Sequence, residues 1–256
     1  MTPSLNYDQF ILLGDSLTEK GANRPDGWGL LMVQEYSRKA NIVVRGFGSF
    51  NTYWLKFAVE PLLRDLPAHR IKLITLMIGT NDFRDEPYHV PLNMNFQFLQ
   101  DIVRNLHELA PHAHILVLTP PPVCKAKGDV FVERSKEYRD SSLNAIKVVK
   151  ANSTEEWTST QLSSLNTWDV FIPNKEYEKP DFDPLTVKPY FEDDVHFSPA
   201  GQKKLFDGVV AEIEKIWPHL AAKNMKYVVV DADKNPGPAA RLGDDEAVKK
   251  WLFGKH

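Results

Sequence analysis

Phe10-Ile-Leu-Leu-Gly-Asp-Ser16 is the stretch on which the fold turns. Four apolar residues without polar alternation read as a short strand covered on both faces. Gly14-Asp15-Ser16 then ends it with turn chemistry. The pattern returns three times along the chain. Residues 42–45 run into Gly46-Phe47-Gly48-Ser49, residues 71–78 into Gly79-Thr80-Asn81-Asp82, and residues 114–119 into Pro120-Pro121-Pro122. Helical spacing fills the gaps. Residues 29–40 put Leu30, Val33, Tyr36 and Ser37 near one face. Residues 53–66 align Leu55, Val59, Leu62, Leu63 and Leu66, and residues 92–109 align Phe96, Leu99, Val103 and Leu106. Strand alternating with helix predicts an α/β layer built on a parallel sheet with right-handed crossovers.

The second half is read with fewer signals. Residues 130–151 are expected to be helical. Residues 167–173, with Trp168, Val170, Phe171 and Ile172, are expected to form a fifth strand. The proline-rich residues 175–191 read as an ordered loop, and residues 198–217 as a final helix with Ser198 as N-cap and Pro199 in its first turn. Residues 227–230 look strand-like, and Pro236-Gly237-Pro238 breaks structure.

Composition narrows the function classes. The chain has 256 residues, 43% hydrophobic and 25% charged, with a formal net charge of -3. That is ordinary globular usage, neither disordered nor fibrous. No basic excess or stripe points to nucleic acid. The apolar runs fall far short of the ~20 residues that a membrane span needs. The first residues lack the basic and apolar regions of a secretory signal. A single cysteine, Cys124, allows no disulfide within the chain. The expectation is a soluble cytoplasmic protein, with self-association left open.

Ligands of open parallel sheets sit at the carboxyl ends of the strands, so the turns are the place to look for chemistry. The first turn holds the hydroxyl of Ser16. The second offers backbone N–H groups around Ser49. The third carries the amide of Asn81, and Asp193-Asp194-Val195-His196 stands just before the last helix. Each feature has an ordinary reading as a turn, cap or surface residue. Together they form a set: a nucleophile, a base, a carboxylate to orient the base, and donors for an oxyanion. His112 and His114 read as loop histidines rather than metal ligands, Cys124 as a structural thiol. Trp28, Phe47, Phe50 and Trp54 read as packing residues, and Phe83 as a pocket residue.

The same residues carry a resemblance. Phe10-Ile-Leu-Leu-Gly-Asp-Ser-Leu-Thr18 resembles the first block of the GDSL, or SGNH, hydrolases; Gly79-Thr-Asn-Asp82 resembles their third and Asp193-Asp-Val-His-Phe-Ser198 their fifth. Asp26-Gly-Trp-Gly29, Arg45-Gly-Phe47 and Asn51-Thr-Tyr-Trp54 are similar to isoamyl acetate-hydrolysing esterase-like members, as is Lys223-Asn-Met-Lys-Tyr227 in the C-terminal extension. The similarity covers residues 8–120 and 190–230. It implies a three-layer α/β/α fold with a flavodoxin-like five-stranded parallel sheet, a hydrolase domain over residues 1–222 and an extension over 223–256. It implies a carboxylic ester hydrolase, an esterase or lipase working through an acyl-serine without cofactor or metal, on small to medium acyl esters such as acetates. Ser16 would be the nucleophile, His196 the base and Asp193 its carboxylate. The N–H groups of Ser16 and Ser49 and the amide of Asn81 would hold the oxyanion. Ser49 departs from the pattern, standing where the family has its oxyanion glycine. A backbone N–H survives that exchange, but serine costs ~1–2 kcal/mol if the position needs positive φ. Two rivals use the same residues: an acyltransferase that passes the acyl group to an alcohol, and a binding protein that has lost turnover.

Overall fold

The structure, a computed structural model, describes residues 6–152, 156–229 and 245–253. Five parallel strands form one sheet in the order β2-β1-β3-β4-β5. They are β1 (Asp8–Gly14), β2 (Ala40–Gly46), β3 (Ile71–Met77), β4 (His114–Leu118) and β5 (Leu162–Leu165). Their register aligns the strand ends. Gly14 at the end of β1 lies opposite Gly46 on β2 and Met77 on β3, so three turns leave the sheet at one height.

Each central strand buries both faces, because successive side chains point to opposite sides. Phe10, Leu12, Leu73, Leu116 and Leu118 face one layer, with α2 (Trp28–Glu35), α7 (Thr167–Phe171) and α8 (Pro199–Ile216) over them. Ile11, Leu13, Ile74, Leu76, Ile115 and Val117 face the other, under α3 (Thr52–Leu63), α4 (Leu92–Leu109) and α5 (Val130–Ala151). Between them in the chain lie the single turn α1 (Ser16–Glu19) and the short α6 (Glu156–Thr160); α9 (Asp245–Phe253) is the last described element.

The first four strands and the helices α4 and α5 follow the sequence reading to within a residue or two. Four expectations change. The fifth strand is residues 162–165 rather than 167–173. Leu162-Ser-Ser-Leu165 is half polar because β5 is an edge strand buried only at its ends. The apolar run after it is α7, opened by Asn166, whose side chain accepts from the Trp168 N–H at 3.2 Å. That turn places Trp168 and Phe171, three apart, in the core. α2 stops at Glu35, because Arg38 takes a left-handed φ of 65° and Ala40 already begins β2. The proline-rich stretch winds into two 3-10 segments, Pro173–Glu178 and Pro184–Tyr190. Residues 227–229 form no strand; instead the Val228 N–H donates to Arg38 O at 2.9 Å and Arg38 lies 4.5 Å over the Tyr227 ring. Val230 and the Pro236-Gly237-Pro238 break lie outside the described residues.

Candidate active site

Backbone hydrogen bonds stitch the turns together. The Phe47 N–H donates to Gly14 O at 3.0 Å, joining the second turn to the first, and the Asp15 N–H donates to Met77 O at 3.3 Å, joining the first to β3. The approach is close enough that only glycine fits at 14, where a β-carbon would lie 2.3 Å from Met77 O. Gly79 is needed for a different reason. Its φ of +112° is one that side chains resist.

Asp15 caps α1, its carboxylate accepting from the Leu17 N–H at 2.9 Å. This sets Ser16 as the first helical residue. Its hydroxyl lies 3.1 Å from His196 Nε2. The other ring nitrogen, Nδ1, is 2.7 Å from Asp193 Oδ2. Asp193 also accepts from the His196 N–H at 2.6 Å and the Val195 N–H at 2.8 Å. Partial burial pushes its carboxyl up, but those two N–H groups and the imidazole outweigh it and hold the group down at about 2. Ionised Asp193 fixes the proton on Nδ1, leaving Nε2 with the lone pair that faces Ser16.

Asn81 is buried, and its amide reaches Phe50 O at 2.8 Å. Ser49 has a φ of 65°. It is the third residue of a turn closed by the Phe50 N–H onto Phe47 O at 3.2 Å. Type II turns require positive φ there and favour glycine. Among the described residues the N–H groups of Ser16 and Ser49 donate to no protein acceptor. Of the five expected site residues, Ser16, His196 and Asp193 form one hydrogen-bonded line. Ser49 and Asn81 are linked to each other through Phe50.

Several contributors carried no sequence signal of their own. Asp82 read as a turn residue, yet it is fully buried. It accepts from the Thr52 N–H at 3.0 Å, from the Thr52 hydroxyl and from the Asn95 amide at 2.9 Å, tying the third turn to α3 and α4. Burial raises its pKa to about 6 despite those donors. Burial also lifts Asp15 to about 7, opposed by the Leu17 N–H and reinforced by the charge of Asp82. Arg24 bridges Asp26 to Glu192 and donates to Phe197 O, bracing the loop that carries the Asp193–His196 pair. Pairing between charges distant in sequence is what sequence spacing does not reveal.

A cavity of about 280 Å³ opens beside these groups. Phe83, Val123, Phe131 and Val195 line it together with the charged Arg84, Asp85, Lys125 and Asp194, and Thr80 and Val195 border Asn81 and His196 in the chain. Phe83 is therefore a pocket residue, as expected. Trp28 is fully buried in the core. Phe50 packs against the α3–α4 side, while Trp54 is 36% exposed. Cys124 is buried, and its N–H donates to Asp194 O at 2.8 Å. His114 packs against Trp217 and His219, and no cluster of three metal-type ligands gathers among the described residues. Nor is any helix among them long and apolar enough to cross a membrane.

Comparison with known proteins gives this geometry a lineage. Residues 12–204 match the GDSL-like lipase/acylhydrolase family. The isoamyl acetate-hydrolyzing esterase of Saccharomyces cerevisiae is 30% identical over 242 residues, covering 89% of this chain and 94% of that protein. A GDSL esterase/lipase of Arabidopsis thaliana is 26% identical over 219 residues, covering 82% and 86%. In fold, the chain is similar to an acetylxylan esterase from Geobacillus stearothermophilus, with a TM-score of 0.57 at 21% identity over 80% of this chain and 94% of that one. The family match spans well over half of the sequence, and this chain belongs to the GDSL-like lipase/acylhydrolase family of ester hydrolases.

Proposed function

We propose that the protein hydrolyses carboxylic esters of small to medium size, acetates among them, through an acyl-serine intermediate. The observation that carries this reading is the line from Ser16 Oγ to His196 Nε2 at 3.1 Å and from Nδ1 to Asp193 at 2.7 Å. Ser16 Oγ attacks the ester carbonyl while Nε2 takes its proton. Asp193 stabilises the imidazolium that forms. The carbonyl oxygen becomes an oxyanion, held by the N–H groups of Ser16 and Ser49 and an N–H of Asn81. Nε2 returns the proton to the departing alkoxide, and the alcohol leaves. Water then repeats the cycle on the acyl-serine, releasing the acid and free Ser16.

Substrate size is argued from the cavity. A cavity of about 280 Å³ is in keeping with a small to medium ester. Its apolar patch of Phe83, Val123, Phe131 and Val195 suits an alkyl or aryl part of the ester, with charged residues at Arg84, Asp85, Glu86, Lys125 and Asp194 around it. The Saccharomyces cerevisiae relative's name, with isoamyl acetate as substrate, supports the same size. The reading includes a cytoplasmic setting, supported by a lone cysteine that is a free, buried thiol. It also includes a hydrolase unit ending at residue 222, six residues after the end of α8, beyond which Val228 bonds Arg38.

A panel of p-nitrophenyl esters of rising chain length, run beside acetates of free alcohols, tests the reading. Turnover should peak at short to medium chains. A fluorophosphonate should label wild type and not Ser16→Ala. No turnover across the panel, or labelling that persists in Ser16→Ala, would overturn it.

A further inference from the structure

An oxyanion donor on a side chain is useful only if its rotation is fixed. The Asn81 amide has one acceptor oxygen and two N–H donors. One N–H goes to Phe50 O at 2.8 Å. The oxygen accepts from the Arg84 guanidinium at 3.1 Å. A flipped amide would set oxygen against oxygen at Phe50 and NH2 against a cation at Arg84. The two contacts therefore leave one orientation, with a single N–H unspent.

Arg84 is exposed and lines the cavity, and two contacts tie it to the third turn. Its N–H donates to Asn81 O at 3.1 Å, and its guanidinium lies 4.2 Å from the Tyr88 ring centre. Asp85 and Glu86 follow it directly in the chain, yet Asp85 pairs with Arg134, and among the described residues no carboxylate pairs with Arg84. A cation with acidic neighbours that binds a neutral amide instead is not a routine surface ion pair. Its charge also draws electron density toward Oδ1, which strengthens the remaining N–H as a donor.

We propose that Arg84 is a positioning residue, which sets and polarises the Asn81 amide for the ester oxyanion. The proposal rests on the hydrolytic reading above, and the experiment separates the two. Steady-state kinetics are measured on wild type, Arg84→Met, Arg84→Lys, Asn81→Ala and the Arg84→Met/Asn81→Ala double variant. Arg84→Met keeps a stem over Tyr88 and loses the donor and charge. It should lower kcat on the order of tenfold, the worth of one charge-assisted hydrogen bond, with KM within about twofold. Arg84→Lys should recover part of that loss. In the Asn81→Ala background the Arg84→Met change should cost nothing further, because its route of action is gone. Thermal melts and fluorophosphonate labelling confirm a folded site in each variant. An equal loss in both backgrounds, an unchanged kcat in Arg84→Met, or a raised KM with kcat intact would overturn the assignment. Wild type without turnover would sink the hydrolytic reading and this one with it.

Discussion

Ser49 shows what one residue can cost and keep. Its φ of 65° is strained for any side chain, at ~1–2 kcal/mol. Ser49→Gly should therefore raise the denaturation midpoint while leaving kcat within a few-fold, since the N–H remains. Ser49→Ala should also stay within a few-fold; a loss as large as that of Asn81→Ala would make the hydroxyl the donor. Asn81→Ala removes a donor outright and should lose ~10²–10³ in kcat. Proline is a poor probe at this position, because its ring fixes φ near ~−65° and would break the turn. The two neighbouring carboxylates separate just as sharply. Asp193 accepts three hydrogen bonds within the Asp193–His196 turn, one of them from the imidazole, whereas Asp194 pairs with Lys125 at 2.9 Å. Asp193→Asn should be severe in kcat and Asp194→Asn mild, because only Asp193 bonds the imidazole. The reverse order would put the wrong carboxylate in the line.

Elements were legible wherever burial dictated composition. β1, β3 and β4 are mostly apolar because both faces are covered, and α4 shows its period because one face is. β5 escaped notice because its middle residues need no burial, and α7 misled because an apolar run of five or six residues serves a strand or a helix turn equally well. Ser16, Asn81, Asp193 and His196 were legible because each sits in a short motif after a strand or before a helix. Arg84, Arg24, Thr52 and Asn95 were not, because their roles depend on contacts that only the folded chain makes. Asn51 illustrates such a contact. Its side chain caps α3, accepting from the Trp54 N–H at 2.9 Å, while its amide donates to Tyr88 O at 2.9 Å. Asn51→Ala should lower stability by about 1 kcal/mol from the lost cap, which is about 2–4 °C in Tm for a chain of this size. A melt that does not move would show the cap to be incidental.

For the whole molecule, the buried Asp15 and Asp82 set a dependence on pH. Both titrate above their ordinary 3.8, at about 7 and about 6, so the fold favours their protonated forms. Their contribution to stability is full below the ordinary carboxylate range and is lost as pH climbs from about 4 to about 7. Asp193 works the other way. Held at about 2, it contributes above the ordinary value and loses that contribution as pH falls. Melts run from pH 5 to pH 8 should show Tm falling with pH. Asp15→Asn keeps an oxygen for the Leu17 N–H and should flatten that slope. An unchanged slope would mean that the two carboxyls do not govern it.

The hydroxyl of Ser16 and the ring of His196 are 180 positions apart in sequence. On the proposed mechanism the nucleophile therefore leaves the ribosome early, and its base follows 180 residues later. Until α8 docks and carries the Asp193–His196 turn to the sheet, Ser16 is an ordinary alcohol. A nascent chain is thus spared acylation by whatever esters surround it. On that mechanism, probe reactivity at Ser16 is expected to be silent in chains arrested before residue 190 and to appear once α8 has docked.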